Sequence, residues 1–187
     1  MMKRIFDLVM AIFLALLLSP LILIIALMVK LLSKGPALYW SDRVGINNSI
    51  FKMPKFRTMY IDAPEVATHL MEDPSLYLMS IGMFLRKLSL DELPQLYSIL
   101  KGDISFVGPR PALYNQDDLI KLRTEKGIHK IIPGITGWAQ VNGRDEISIL
   151  KKVDFDEYYL RNKSFFFDLK ILMFTLIKVV KTENIAH

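Results

Sequence analysis

The sequence predicts an α+β fold, with an N-terminal membrane element followed by a mainly helical domain that contains a small β element. Near the N-terminus lies an apolar segment long enough for a bilayer, and short apolar runs separated by turn residues follow it. Most of the remaining chain consists of longer segments with helical patterns of apolar residues. We therefore expect two parts, a membrane-embedded re-entrant helical hairpin at 1–35 and a cytosolic domain at 36–187.

Composition restricts the possible functions before any motif is considered. Apolar residues make up 52% of the 187 residues, and the mean hydropathy is +0.30. The chain contains no cysteine, which excludes a disulfide framework and any metal site built from cysteine ligands. The formal net charge is +5, so we expect an anionic partner, which is a nucleic acid, a phosphorylated metabolite or an acidic membrane surface.

The apolar segment covers Ile5–Val29 and is interrupted by Asp7, Ser19 and Pro20. About 25 residues are enough to cross a bilayer core of roughly 30 Å at about 1.5 Å per residue. The run is longer than the apolar region of a secretory signal, and no small-x-small cleavage site follows it. We therefore expect the segment to be retained in the membrane.

Pro20 lies at the middle of this segment, where it removes a backbone hydrogen bond that Ser19 could replace. Each half is then about 14 residues, or roughly 21 Å, which is too short to cross alone. Basic residues stand at both ends of the segment, and they are Lys3, Arg4, Lys30 and Lys34. A re-entrant helix–break–helix hairpin explains both observations, because it returns both ends to the cytoplasmic side. A kinked helix that crosses the bilayer is the alternative, since transmembrane helices tolerate proline.

The small β element is predicted at Val44–Phe51, where turn residues between apolar runs indicate a hairpin. The following segment, Phe51–Met59, alternates apolar and basic residues and brings Lys55 and Arg57 near one another. An ordinary solvated strand face is an equally good interpretation of this stretch alone.

Two adjacent carboxylates, Asp91 and Glu92, stand at the predicted start of a helix that ends at Lys101–Gly102. Ser89 and Glu92 fit a capping box, in which the side chains satisfy free backbone donors of the helix. Arginines on both sides of the pair, Arg86 and Arg110, favour a different role, because cations near carboxylates suggest that another anion binds here.

Two loops have constrained backbones. Arg110 lies between Pro109 and Pro111, so its backbone has little conformational entropy left to lose on binding. The segment 133–144 contains three glycines that permit close backbone approach, and it ends at Arg144. Its glycine pattern differs from the phosphate-binding and dinucleotide-binding fingerprints, so any phosphate site here is of another kind.

Three helices are predicted in the C-terminal half, at Asn115–Lys130, Lys151–Tyr159 and Phe165–Lys181. The last is amphipathic and contains lysines among large apolar residues. It either packs on the domain or lies in the interface of an anionic leaflet.

Together, these features indicate chemistry on a phosphorylated substrate held at a membrane. Arginine forks match phosphate oxygens, and a carboxylate can act as nucleophile towards phosphorus or as general base. Because a carboxylate and a diphosphate repel each other, we expect Mg2+ to bridge them.

The motifs resemble those of the small monotopic phosphoglycosyl transferases, a bacterial sugar transferase family. The resemblance rests on KFRTM, LRKLSLDELPQL, GDISFVGPRP and PGITGWAQVNGR, behind an apolar segment that contains Ser-Pro. It covers nearly the whole chain, and several motifs in one order are more specific than any one of them. The compact size is similar to that of the PglC-type enzymes that start N-linked glycan assembly.

This resemblance implies that a sugar-1-phosphate is transferred from a UDP-sugar to a polyprenol (undecaprenyl) phosphate, with Mg2+ as cofactor and UMP released. Asp91 is then the nucleophile that forms a covalent phosphosugar intermediate, and it also contacts the metal. Glu92 is its partner, as metal ligand, positioner or base. The membrane hairpin breaks at Ser19–Pro20.

The other site residues also follow from the resemblance. It assigns Arg86, Arg110, Lys55 and Arg57 to the substrate phosphates, and Arg144 to the nucleotide. It places the protein in the bacterial inner membrane with the catalytic domain facing the cytoplasm and an anionic leaflet.

We expect an N-acetylated donor, such as UDP-N,N'-diacetylbacillosamine, and the alternative is UDP-glucose or UDP-galactose for capsule or exopolysaccharide initiation. A non-enzymatic basic scaffold or nucleic-acid-binding module is disfavoured, because the basic residues lie in constrained loops and form no single helical stripe. We therefore expect no nucleic acid among the partners.

Overall fold

The fold is α+β, as the sequence predicts, and a computed structural model describes residues 2–33, 35–63, 73–143 and 147–181. The helices and strands, in chain order, are α1 (Met2–Leu32), β1 (Leu38–Val44), β2 (Ile50–Phe56), α2 (Ser80–Lys87), α3 (Leu96–Lys101), β3 (Ser105–Val107), α4 (Asp117–Glu125), β4 (Gly134–Thr136), α5 (Trp138–Val141), α6 (Ile149–Asn162) and α7 (Phe165–Lys181). Short 3-10 turns lie at Ile46–Asn48, Pro74–Tyr77, Leu90–Gln95 and Ile128–Lys130.

The apolar segment forms one helix, α1, with Pro20 inside it, where the sequence predicted two helices joined by a break. The Oγ of Ser19 donates to the carbonyl of Leu16 at 2.8 Å. That carbonyl is the one that an amide at position 20 would have bonded, so the hydroxyl replaces the lost donor, as the sequence suggested. Within the described residues, α1 is the helix long and apolar enough to cross a membrane, and its apolar side chains are mostly exposed.

The N-terminal end of α1 is bound to the domain through its charged side chains. The Nζ of Lys3 donates to the carbonyl of Val107 at 2.8 Å and to Oδ2 of Asp168 at 2.5 Å. Arg4 donates to the last carbonyls of α3, and Oδ1 of the buried Asp7 accepts the amide of Phe106. Lys3 and Arg4, two of the basic residues that flank the apolar segment, therefore have partners in the domain.

The C-terminal end of α1 packs against the same domain. Ile25 and Val29 are buried in a cluster that includes Phe56 of β2 and Leu85 of α2. Both ends of the helix thus contact the domain that follows it in sequence.

The predicted hairpin is confirmed. β1 and β2 pair in antiparallel register from Leu38 opposite Phe56 to Val44 opposite Ile50. The turn between them places Asn47 and Asn48 in the left-handed region, with φ of 54° and 58°, which asparagine tolerates better than most residues.

The central helix differs from the prediction at its start. Leu90–Gln95 is a 3-10 turn that continues into α3, and α3 ends at Gly102 with φ of 99°, as predicted. Ser89 has a left-handed backbone, and its side chain forms no capping hydrogen bond. The capping-box interpretation is therefore wrong. The side chain of Glu92 instead accepts hydrogen bonds from Lys55 and Arg110.

A short parallel pair, β3 and β4, lies at the centre of the core and supports the proline-rich loop. Ser105 pairs with Gly134 and Val107 with Thr136. Gly137 of the second loop lies against the first, because a Cβ on it would meet the carbonyl oxygen of Gly108 at 2.1 Å, and this is the kind of close backbone approach that glycine permits. The backbone of Gly108–Pro111 is thus held against 133–137.

The last helix packs on the domain, which is one of the two interpretations made from its sequence, and its place in a membrane interface stays a prediction. Ile171 of α7 is buried in the main core, whereas Phe166 is 82% exposed and Leu176 is 67% exposed. One face of α7 packs on the domain and another remains apolar and accessible.

Candidate active site

The carboxylates of Asp91 and Glu92 lie in a buried cluster of charged side chains beneath the 3-10 turn that carries them. Asp91 is 7% exposed, and the side chain of Glu92 is 12% exposed. The turn packs against β2, which contributes Lys55, and α2 before it contributes Arg86. The structure therefore brings together residues that are far apart in sequence.

Glu92 is held by two cations at once. Its Oε1 accepts from Nζ of Lys55 at 2.8 Å and from Nη2 of Arg110 at 2.7 Å. Burial alone would raise the pKa of Glu92, but Arg110 and Lys55 together outweigh burial and place this pKa well below its usual range. Glu92 is therefore a fixed anion that orients two cations.

Asp91 has a different environment, although it is adjacent in sequence. Its Oδ2 lies 3.8 Å from Nζ of Lys55, which is beyond hydrogen-bond distance. Burial raises the pKa of Asp91, Lys55 opposes this shift, and the charge of Glu92 adds to it. A desolvated carboxylate that is paired with a nearby cation at this distance, without a hydrogen bond to it, can act as a nucleophile.

Lys55 and Arg86 supply positive charge to the same cluster. Burial lowers the pKa of Lys55, and the charge of Glu92 opposes this effect. Nε of Arg86 donates to Oγ1 of Thr58 at 2.9 Å. Burial lowers the pKa of Arg86, and Asp91 opposes it, so Arg86 is close enough to this carboxylate to interact electrostatically.

Two predicted site residues are not placed with this cluster. Arg57 donates from Nε to the carbonyl of Pro36 at 3.0 Å, and its guanidinium lies 5.9 Å from the ring centroid of Tyr39. These contacts lie at the start of β1, so phosphate binding by Arg57 stays a prediction. Arg144 lies outside the described residues.

The backbone around Arg110 is fixed from several sides. The amide of Gly134 donates to the carbonyl of Pro109 at 3.0 Å. Arg123 donates to the carbonyl of Arg110 at 2.8 Å, and Arg43 donates to that of Pro111 at 3.2 Å. Neither Arg43 nor Arg123 was predicted from the sequence, because neither lies in a proline-rich or glycine-rich motif.

The carboxylate pair fits a metal that is shared with a phosphate substrate better than one enclosed by protein ligands. Across the described ranges there is no group of three or more histidine or acidic side chains that could enclose a metal ion. Mg2+ is commonly held by one or two carboxylates together with substrate phosphate oxygens and water, and an adjacent carboxylate pair fits that pattern. If Mg2+ binds here, Asp91 would be the less shielded ligand, because two cations already contact Oε1 of Glu92.

Comparison with known proteins places the chain in a family. A family model described as bacterial sugar transferase matches residues 1–182. The sugar transferase EpsL of Bacillus subtilis (strain 168) is 46% identical, and the match covers 100% of this chain and 91% of EpsL.

Two other relatives have longer chains. The UDP-glucose:undecaprenyl-phosphate glucose-1-phosphate transferase of Escherichia coli (strain K12) is 41% identical over 95% of this chain and 40% of its own length. The undecaprenyl-phosphate galactose phosphotransferase of Salmonella typhimurium is 35% identical over 100% of this chain and 42% of its own length.

These matches confirm the resemblance seen in the motifs, and they extend over the N-terminal helix as well as the carboxylate cluster. The residues matched by the family model include the buried carboxylate pair and its lysine and arginine partners. The chain belongs to the bacterial sugar transferase family.

Proposed function

We propose that the protein transfers a sugar-1-phosphate from a UDP-sugar to undecaprenyl phosphate and releases UMP. The observation that carries this proposal is the desolvated carboxylate of Asp91, which lies 3.8 Å from Lys55 beside a carboxylate already held by two cations. The name of the Escherichia coli relative supports the same donor and acceptor classes, and the name of the Salmonella relative supports the acceptor.

The donor is UDP-glucose or UDP-galactose under this proposal. The relatives are named for glucose and galactose, which supports the alternative stated from the sequence. They give no support to an N-acetylated donor such as UDP-N,N'-diacetylbacillosamine. The product would serve the initiation of a capsule or exopolysaccharide, which agrees with two relatives named as exopolysaccharide production proteins.

The first step uses Asp91 as nucleophile. One oxygen of its carboxylate attacks the phosphorus that carries the sugar, and the bond from that phosphorus to the bridging oxygen breaks, so that UMP leaves with the bond electrons. The product is an acyl phosphate between Asp91 and the phosphosugar. In the second step, a phosphate oxygen of undecaprenyl phosphate attacks the same phosphorus and releases the carboxylate.

The cations around the carboxylates neutralise the charge that accumulates when a diphosphate approaches an anion. Arg110 and Lys55 are oriented by Glu92 before the substrate binds. Electrostatic stabilisation is most effective when the charged groups do not have to reorganise during the reaction. Arg86 adds positive charge on the Asp91 side. Mg2+, held by Asp91 and the diphosphate, would supply further charge neutralisation when bound.

We also propose that α1 is re-entrant, so that the protein is monotopic and its domain faces the cytoplasm at the bacterial inner membrane. Contact of both ends of α1 with one domain supports this topology, because a crossing helix would separate its ends by the bilayer. The exposed apolar side chains of α1 and the net charge of +5 suit an anionic leaflet. Because the chain has no cysteine, single cysteines at positions 2 and 34 can be labelled without background, and labelling from opposite sides would contradict this topology.

The activity is tested by incubating the detergent-solubilised protein with undecaprenyl phosphate and one UDP-sugar at a time, and by measuring UMP. We expect UMP from UDP-glucose or UDP-galactose, and a background rate with Asp91→Asn. UMP from UDP-N,N'-diacetylbacillosamine alone would overturn the donor assignment. A background rate with every donor would overturn the proposed function.

A further inference from the structure

We propose that a buried ion pair between Arg123 and Asp156 positions Arg110 for the reaction, although neither residue lies in the carboxylate cluster. This inference rests on the proposed function, because it assigns to Arg110 a role at the substrate phosphates. Arg123 belongs to α4 and Asp156 to α6, so the pair links two helices of the C-terminal half to the active site.

The pair is well defined in the structure. Oδ2 of Asp156 accepts from Nε of Arg123 at 2.9 Å and from Nη2 at 2.6 Å. Arg123 is 8% exposed and Asp156 is 1% exposed. The third contact of the guanidinium is different in kind, because Nη1 donates at 2.8 Å to the backbone carbonyl of Arg110.

A buried ion pair is weak evidence for a role in stability. Removing two charges from water is unfavourable, and apolar replacements of such pairs are often neutral or stabilising. The pair at Arg123 therefore calls for an explanation beyond stability, and its contact with the backbone of Arg110 provides one. A guanidinium can hold a carboxylate with two nitrogens while the third reaches another acceptor, which an ammonium group cannot do in the same geometry.

The contact belongs to a set that fixes three successive carbonyls. Those of Pro109, Arg110 and Pro111 accept from the amide of Gly134, from Nη1 of Arg123 and from Nη1 of Arg43, respectively. The donors come from β4, α4 and β1, so the loop is held from three elements. Arg123 is the donor that acts on the carbonyl of Arg110 itself.

A fixed carbonyl restricts the position of the Arg110 Cα, from which the side chain extends. Its Nη2 lies 2.7 Å from Oε1 of Glu92, so a shift of the backbone changes the geometry of the whole cluster. Displacements of about 1 Å can reduce a rate by about 100-fold. Arg123 is thus a positioning residue that acts through Arg110.

The test is a double-mutant cycle on the full-length protein in detergent, with single-turnover UMP release as the assay. Arg123→Lys keeps the charge opposite Asp156 but removes the donor to the carbonyl. In the wild-type background we expect Arg123→Lys to lose about 10- to 100-fold in kcat/KM, because a shift of Arg110 by up to about 1 Å can reduce a rate by about 100-fold. In the Arg110→Ala background we expect less than about a twofold further loss, because residues that act through one another are not additive.

The matched control is Arg161→Lys. Arg161 is exposed on α6, the helix that carries Asp156, and it pairs with Glu157, so the same substitution is made at a neighbouring ion pair without contact to the loop. We expect wild-type turnover from this variant. Equal losses for Arg123→Lys in both backgrounds, or no loss in either, would overturn the positioning role.

A second measurement does not depend on activity. Amide hydrogen exchange should be faster in peptides covering 105–116 of Arg123→Lys than of the wild type, and unchanged in peptides covering α1. If Arg123→Lys does not fold, Asp156→Asn replaces it, since the neutral amide still accepts one bond while holding Arg123 less firmly. Unchanged exchange at 105–116 would contradict the inference, whereas an inactive wild-type protein would contradict the proposed function instead.

Discussion

Replacing Gly137 with alanine tests whether the packing of the two constrained loops sets the position of Arg110. Gly137 has φ of −174°, an extended conformation open to any residue, so the expected effect is purely steric. A Cβ at this position would lie 2.1 Å from the carbonyl oxygen of Gly108, and contacts under 3.0 Å are essentially never found. The backbone must then move by about 0.9 Å to relieve the overlap, close to the roughly 1 Å displacement that can reduce a rate about 100-fold.

We therefore expect Gly137→Ala to lose about 100-fold in single-turnover UMP release, with a loss of about 1–3 kcal/mol in the free energy of unfolding from overpacking. The control is Gly127→Ala, where a Cβ has no neighbour within 4 Å but φ is +74°. The left-handed backbone alone should destabilise this variant by about 1–2 kcal/mol while turnover stays at the wild-type level. Wild-type turnover from Gly137→Ala, or an equal loss in both variants, would refute the reasoning.

Three further predictions follow from the same contacts. Asp168→Asn removes the anion that binds Lys3, and it should lower the midpoint of thermal unfolding by about 2–8 °C for a loss of about 1–2 kcal/mol. Asp42→Asn, at the exposed pair with Lys52, should leave that midpoint unchanged. Glu92→Gln should reduce UMP release by at least about 10-fold without unfolding, because an amide no longer neutralises its two cations; wild-type turnover would remove Glu92 from the mechanism. Chelation by EDTA should abolish UMP release, with recovery on addition of Mg2+ and no change in thermal unfolding; full activity in EDTA would exclude the metal.

The features predicted best from the sequence are those specified by local patterns. The β1–β2 hairpin follows from turn residues between apolar runs, and its two asparagines adopt the left-handed conformation that the turn requires. The end of α3 at Gly102 follows from the special backbone freedom of glycine. The hydrogen bond from Ser19 to the carbonyl freed by Pro20 depends only on neighbours in one helix.

Features that depend on distant partners were predicted less well. Ser89–Glu92 has the spacing of a capping box, but Glu92 instead binds Lys55 from β2 and Arg110 from a later loop. Two ion pairs to a buried carboxylate are stronger than one capping hydrogen bond, so tertiary structure overrides the local motif. Lys3 illustrates the same limit, because its partner Asp168 is separated from it by 165 positions.

Residues that act through the backbone leave little trace in a single sequence. Arg43 and Arg123 look like ordinary charged residues of a strand and a helix, and their role depends on two carbonyls that the fold brings to them. The sequence indicated that the backbone of Arg110 would be rigid from its flanking prolines, but it could not show which side chains hold it.

The central claim is that Asp91 forms a covalent bond to the phosphosugar, and intact-protein mass spectrometry tests it most directly. The protein is incubated with a UDP-sugar and Mg2+ in the absence of undecaprenyl phosphate, so that the intermediate accumulates. We predict an added mass equal to one sugar phosphate on the wild-type protein, none on Asp91→Asn, and loss of the adduct when undecaprenyl phosphate is added. UMP release by the wild type with no adduct on rapid quenching, or an adduct of the same mass on Asp91→Asn, would contradict the account.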